Sequence, residues 1–233
     1  MIQLSEHIYC EDFLETCDIE NRFLPNPYHQ YPFMLIEDFL TPQQCSQITA
    51  TMKNDSNSDD AMIKSLLQDS VVTPSVDEQL RKTKIHVLSE PYLSWYQQSF
   101  LHHQNSMESF FNIALTTSTK PQVLEYTQGH FYTKHSDDSS ELISKDGKTI
   151  GFKCVAPQRK FTTVFFVSSH EEDFKGGELI FNYLYDENSQ QIILKPKAGT
   201  MVVFPSNPYF SHEVKPVHSG YRLTVAQWHN ALI

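Results

Sequence analysis

The sequence predicts a mainly β fold with flanking N-terminal helices (α+β), arranged as a double-stranded β-helix (jelly roll), and two observations carry that expectation. The first is the placement of glycine. All seven glycines fall between Gly129 and Gly220, so the positive-φ positions that tight β turns need are confined to the second half. The second is the rhythm after residue 121, where short β-branched and aromatic runs alternate with turn residues. Strands are predicted at 122–127, 131–135, 161–168, 178–182, 191–194, 200–204, 211–214 and 221–228. No helical crossover of about ten or more residues fits between them, which excludes a parallel α/β sheet.

The first half is glycine-free and reads as helices plus a leading strand. Pro32-Phe33-Met34-Leu35-Ile36 has strand character. Thr41, Pro42 and Gln44 supply an N-cap, a first-turn proline and a capping-box partner, so a helix is expected over 42–53. Its apolar face is Cys45, Ile48 and Met52. Residues 54–60 are wholly polar and read as a loop. A second helix is expected after Ser89-Glu90-Pro91, with Leu93, Tyr96 and Phe100 on one face, and a third near Ser106 with Phe110 and Phe111. These helices should form a layer outside the sheet. At 233 residues and 27.0 kDa the chain is expected to be one domain over 1–233, with a helix-rich supporting region (1–120) and a jelly-roll core (121–229).

Charge excludes one class of partner. The chain carries 18 Lys+Arg against 28 Asp+Glu, a net −10, nearly all of it from the first 120 residues. Neither half has the cationic surplus that a phosphate backbone demands, so no nucleic-acid partner is expected. Cys10, Cys17, Cys45 and Cys154 form no CxxC pair, which removes zinc-ribbon and thioredoxin readings and suits free thiols in a reducing compartment. The start, Met1 to Glu6, lacks a signal-peptide pattern and no apolar run reaches the ~20 residues of a bilayer span, so a cytoplasmic protein without a membrane partner is expected.

The chemistry concentrates in His135-Ser136-Asp137. Side chains at i and i+2 of a strand share a face and can grip one metal ion. His170-Glu171-Glu172 is a looser match, but it sits in an acidic run leading to Gly176-Gly177 and reads as a solvated loop, with His229 as a solvated terminus. His212 lies in a later β run, some 75 residues on. Two His and one Asp on a β scaffold make a facial triad that leaves coordination positions open and suits non-haem Fe(II). If a hairpin turns at Val217, antiparallel pairing sets Arg222 across from His212, a permanent bidentate cation beside the metal.

These residues resemble a known family. Tyr126-x₅-Tyr132-x₂-His135-x-Asp137, Gly176-Gly177-Glu178-Leu179-x-Phe181, Lys197-x-Gly199-x₃-Val203-Phe204-Pro205 and His212-Glu213-Val214-x-Pro216-Val217-x₂-Gly220-x-Arg222 resemble the prolyl 4-hydroxylase-like branch of the Fe(II)/2-oxoglutarate-dependent dioxygenases. The resemblance implies that His135, Asp137 and His212 ligate Fe(II). It implies that Arg222 binds the far carboxylate of 2-oxoglutarate with Tyr126 on the facing strand, that Tyr132 borders the pocket and that Trp228 closes the barrel end. O₂ would be the co-oxidant and ascorbate an auxiliary reductant. The family's usual Tyr is replaced by Phe166, and its common Lys anchor by Arg222.

The expected function is therefore hydroxylation of a C–H bond, prolyl-hydroxylase-like, on a protein or peptide, with release of succinate and CO₂. A small-molecule 2-oxoglutarate-dependent hydroxylase, a metal-dependent enzyme without 2-oxoglutarate and a non-catalytic metal- and carboxylate-binding jelly roll are the alternatives. The long 138–160 segment is expected to act as a substrate flap. The acidic first half suits a neutral or basic substrate through long-range steering.

Overall fold

The computed structural model describes residues 8–16, 23–24, 32–55, 59–60, 63–66, 72–75 and 80–232. Expectations that fall on Met1 to Glu6, on Cys17 and on 56–58 lie outside them. Among the described residues no helix is long and apolar enough to cross a membrane.

Helix α1 (Pro42–Lys53) begins and ends where its sequence predicts. The Gln44 N–H donates to Thr41 Oγ1 at 3.2 Å while the Thr41 N–H donates to Gln44 Oε1 at 2.9 Å, closing the capping box. The two later helices expected from sequence are one, α2 (Tyr92–Phe111). Leu101-His102-His103-Gln104-Asn105 contains neither Gly nor Pro, so nothing breaks the helix before Ser106. It stops at Asn112, whose φ of 53° supplies the left-handed residue that glycine usually provides.

In chain order the strands that frame the site are β1 (Met34–Ile36), β2 (Lys84–Val87), β3 (Gln122–Tyr126), β4 (Phe131–His135), β5 (Ser139–Ile143), β6 (Thr149–Cys154), β7 (Phe161–Phe166), β8 (Leu179–Asp186), β9 (Gln191–Leu194), β10 (Met201–Pro205), β11 (His212–Val214) and β12 (Arg222–Leu232). The major sheet runs β1, β10, β7, β12, β3, β2 and then Asp59–Asp60, with Ala114–Ser118 beside the far end of β12. The first half thus supplies strands as well as helices, and part of the segment expected as polar loop is an edge strand. The minor sheet runs β9, β8, β11, β4 and Arg81–Lys82. Two antiparallel sheets face each other as a jelly roll.

Strand β7 sits at the centre and is buried on both faces. Phe165 points to the helices, among Ile48, Met52, Tyr96 and Met107, while Val164 and Phe166 point between the sheets onto Phe33, Phe181 and Phe204. Each such side chain contributes about 1.5–3 kcal/mol through burial. The 138–160 segment is a β5–β6 hairpin with Ile8–Cys10 as its third strand. Phe152 anchors it against Leu14 and Tyr183, and Lys134 Nζ donates to Glu11 Oε1 at 2.8 Å and to Tyr183 OH at 3.0 Å. Ile143 and Ile150, by contrast, are exposed.

Two histidines differ from their sequence readings. His229 is buried, because β12 continues to Leu232; its ring sits between Ser118 Oγ (2.7 Å) and Thr163 Oγ1 (3.0 Å) and stacks on Phe100. His170 is not solvated either: its Nε2 lies 3.0 Å from Glu178 Oε1.

Candidate metal centre

His135 ends β4, Asp137 follows two residues later, and His212 opens β11, the next strand of the minor sheet, directly opposite His135. One donor atom from each lies within 4.8 Å of the others. His135 Nε2 is 3.9 Å from Asp137 Oδ1, and His212 Nε2 is 3.9 Å from Asp137 Oδ2. The sequence motif and the distant histidine therefore converge on one point.

Main-chain carbonyls decide which ring nitrogens face that point. His135 Nδ1 donates to Thr133 O and His212 Nδ1 donates to Phe210 O, each at 2.9 Å, so both Nε2 atoms keep free lone pairs. Burial, reinforced by His212, pushes His135 down to about 3, so its imidazole is neutral at physiological pH. Burial alone would raise the Asp137 carboxyl, but the two imidazoles, the Thr162 hydroxyl and the Trp228 indole outweigh it and hold it below the usual range. Two imidazole Nε2 atoms and an ionised carboxylate are the donor set that non-haem Fe(II) takes, with positions left open.

Asp137 is oriented by groups the sequence reading missed. Thr162 Oγ1 donates to Asp137 Oδ2 at 2.7 Å and sits 2.8 Å from Ser206 Oγ. Arg159 Nη1 donates to Asp137 O at 3.1 Å, and its guanidinium lies 4.2 Å over the Trp228 ring. Two threonines inside the apolar run Phe161-Thr162-Thr163-Val164-Phe165-Phe166 were the available signal, since buried hydroxyls need partners. Trp228 is half-buried beside this group.

Arg222 is nearly fully buried, but the hairpin expected to set it across from His212 does not form. Residues Val217–Gly220 pair instead with Phe174–Gly176, while β11 pairs with β8 and β4. Glycine permits this alternative: Gly220 has φ of 87°, and a Cβ there would meet Asp173 O at 2.2 Å. Arg222 stands opposite Tyr126 on β3, as the resemblance implied, with its guanidinium 4.8 Å over that ring. Its Nε donates to Gly177 O at 2.8 Å. The Nη2 atom is buried without a hydrogen-bond partner among the described residues. Burial draws the guanidinium down to about 10, so it remains a cation that lacks a full set of acceptors. A carboxylate is the fitting complement.

Tyr132 stacks on the His135 ring at 3.5 Å and 11°, and it packs in one cluster with Tyr126, Val214 and Val217. Burial pushes its phenol up to about 12. This cluster links the His135 end of the site to the Arg222 end. Phe166 faces the same interior and offers no hydroxyl.

Residues 121–230 match the family model described as the 2OG-Fe(II) oxygenase superfamily. Prolyl 3-hydroxylase 2 of Gallus gallus is 37% identical over 70 residues, 30% of this chain and 10% of that protein. A PKHD-type hydroxylase of Rippkaea orientalis is 38% identical over 71 residues, 30% of this chain and 28% of that protein. The aligned part thus spans well under half the length of these relatives. In fold, the chain resembles a Pseudomonas putida prolyl-4-hydroxylase (TM-score 0.56, 18% identity, 85% of this chain and 92% of that one). It also resembles a Trichoplax adhaerens prolyl hydroxylase, solved with a hypoxia inducible factor peptide fragment (TM-score 0.56, 20% identity, 85% and 83%). With the His-x-Asp…His donor set and the buried arginine assembled on a jelly roll, residues 121–230 match the 2OG-Fe(II) oxygenase superfamily, and the fold resembles that of prolyl hydroxylases.

Proposed function

We propose that this chain is an Fe(II)- and 2-oxoglutarate-dependent dioxygenase that hydroxylates a C–H bond of a protein or peptide residue, prolyl in kind, and releases succinate and CO₂. The observation that carries the proposal is the convergence of His135, Asp137 and His212 within one donor-atom cluster, with the Nδ1 of each imidazole engaged by a main-chain carbonyl and Nε2 left for a metal. These three residues would hold Fe(II). Bound iron supplies the oxidising chemistry by which O₂ and 2-oxoglutarate are turned over. Arg222, whose Nη2 lacks a partner, would take the far carboxylate of 2-oxoglutarate, with Tyr126 beneath it.

The rest is positioning and exclusion of water. Thr162 holds Asp137 and would keep its carboxylate oriented toward bound iron, and Tyr132 covers one face of His135. The β5–β6 hairpin begins two residues after Asp137 and would form a wall of the substrate groove. A peptide substrate accords with the prolyl hydroxylases this chain resembles.

The test is succinate release from 2-oxoglutarate, with Fe(II), O₂ and ascorbate, against panels of proline peptides and small metabolites. The proposal expects peptide-stimulated succinate with a hydroxylated peptide of 16 Da greater mass, the mass of one added oxygen atom. Stimulation by metabolites alone would reassign the substrate. No succinate under any condition would leave a binding jelly roll.

A further inference from the structure

Arg222 is short of an acceptor although a carboxylate stands close by. Its Nε donates to Gly177 O at 2.8 Å, and a Cβ built on Gly177 would lie 2.9 Å from Arg222 Cδ, so the main chain at Gly177 rests against the arginine stem. The next residue is Glu178, just before β8. Burial draws the Arg222 guanidinium down, and the Tyr126 and Glu178 charges act against that, so the glutamate lies within its field. Yet the two do not pair: Arg222 Nη2 is buried without a hydrogen-bond partner among the described residues. Glu178 is turned to His170 instead, with Oε1 3.0 Å from the imidazole Nε2. A carboxylate oxygen accepts, so Nε2 carries the proton of that bond.

His170 is itself held in place. Its main-chain N–H donates to Pro196 O at 2.7 Å, and its ring stands edge-on to Phe174 with centroids 5.7 Å apart. Phe174 in turn packs with Tyr126 and Val217, which ties the imidazole to the wall around Arg222. The two partners differ in burial: the His170 side chain is 4% exposed and that of Glu178 is 25% exposed. Packing therefore fixes the imidazole, and the imidazole directs the glutamate. An unpaired, buried guanidinium draws a carboxylate within reach, because pairing offsets its desolvation. On Arg222, the Glu178 carboxylate would take the position proposed for the far carboxylate of 2-oxoglutarate.

We infer that His170 is a positioning residue: it holds the Glu178 carboxylate away from Arg222 and so keeps that arginine open to the cosubstrate. The inference rests on the 2-oxoglutarate role proposed above for Arg222, and it gives a function to the second His-x-acid match without making it a metal ligand. Glu178 becomes a built-in competitor that is restrained by one hydrogen bond.

The test is a double-mutant cycle on the whole chain, read by anaerobic calorimetry of 2-oxoglutarate binding to the Fe(II)-loaded protein and by kcat and KM for succinate release. His170→Phe keeps a ring against Phe174 and loses the N–H, His170→Ala loses both, and His170→Gln retains an N–H donor. His170→Phe and His170→Ala should raise Kd and KM for 2-oxoglutarate about tenfold, within the range of couplings inside one hydrogen-bonded network, with kcat at saturation and Fe(II) affinity unchanged. His170→Gln should recover most of the loss. In a Glu178→Gln background, where the competing charge is gone, the same His170→Phe change should alter Kd by no more than about twofold. An equal loss in both backgrounds would mean that His170 acts by packing alone, and an unchanged Kd in His170→Phe would mean that Glu178 needs no restraint; either overturns the inference while sparing the proposed function. Loss of the native circular dichroism in both His170→Phe and His170→Ala would assign His170 a structural role and overturn it as well. A wild type that binds no 2-oxoglutarate removes the function on which the inference stands.

Discussion

The two ends of the site solve the problem of buried polarity in opposite ways. At the His135 end, each imidazole gives its Nδ1 proton to the main-chain carbonyl two residues before it, and Asp137 takes the Thr162 hydroxyl. That end is complete except at the atoms that face one another. At the Arg222 end, the guanidinium has one bond to Gly177 O and a tyrosine face, and Nη2 is left over. The first arrangement is built for an ion that replaces nothing, and the second for an anion that completes a hydrogen-bond set. Metal affinity and cosubstrate affinity should therefore be separable by mutation.

The largest effect expected is at the ligands. His135→Ala, Asp137→Ala and His212→Ala should each abolish tight Fe(II) binding, measured by anaerobic titration, while circular dichroism stays native because the donors stand on a preformed sheet. His170→Ala, which removes contacts to Glu178, Glu171 and the Phe174 ring, should bind Fe(II) as wild type does. Equal loss in His170→Ala would undo the choice between the two His-x-acid matches.

Next in size is Arg222→Leu. A charge-assisted, desolvated contact is worth about 1.5–3 kcal/mol, so the 2-oxoglutarate concentration needed for half-saturation should rise roughly 10- to 150-fold. Fe(II) affinity should be unchanged, and Arg222→Lys should recover part of the loss. Loss of both affinities together would mean that the two ends are not independent.

Thr162→Val tests the finer point that orientation of Asp137 matters. Removal of a partner to a metal-ligating carboxylate typically costs about 10- to 100-fold in metal affinity. Thr162→Ser, which retains the hydroxyl, should restore most of it. An undiminished affinity in Thr162→Val would make the 2.7 Å bond incidental.

Much of this was legible before any coordinates, and the failures have physical causes. The capping box at Thr41 and Gln44 located α1 because caps are local chemistry. The His135/Asp137 pair and His212 were legible as ligand-type residues in a β-rich pattern, although Asp137 lies just past the end of β4 and not on it. The pairing of His212 with Arg222 was not, because register between strands is set by which edges are free. The tight approach of Gly220 to Asp173 diverted Val217–Gly220 to Phe174–Gly176. Arg222 reached its position through Tyr126 instead, 96 residues away in sequence. His229 looked terminal only because the sequence ends nearby; burial depends on Ser118, Thr163 and Phe100, none of them local.

That histidine yields the smallest expected effect. Burial draws His229 down to about 4, against 6.5 for a free imidazole. Between those values the unfolded chain binds a proton that the folded chain refuses, so stability rises with pH through the window and levels above it. His135, drawn down as well, adds a rise of the same sign, so thermal midpoints between pH 4 and 7 should climb less steeply in His229→Gln than in wild type, by about 2–4 °C per kcal/mol in a chain of this size. An identical slope in His229→Gln would place the pH dependence elsewhere.

The central claim is that one buried centre holds Fe(II) and 2-oxoglutarate together, and anaerobic spectroscopy addresses it without requiring the substrate. Fe(II) added to the protein with 2-oxoglutarate should produce a weak visible charge-transfer band that neither component gives alone. His135→Ala should lack the band, and Arg222→Leu should need far more 2-oxoglutarate to produce it. A wild-type protein that binds Fe(II) tightly but shows no band at any 2-oxoglutarate concentration would contradict the account.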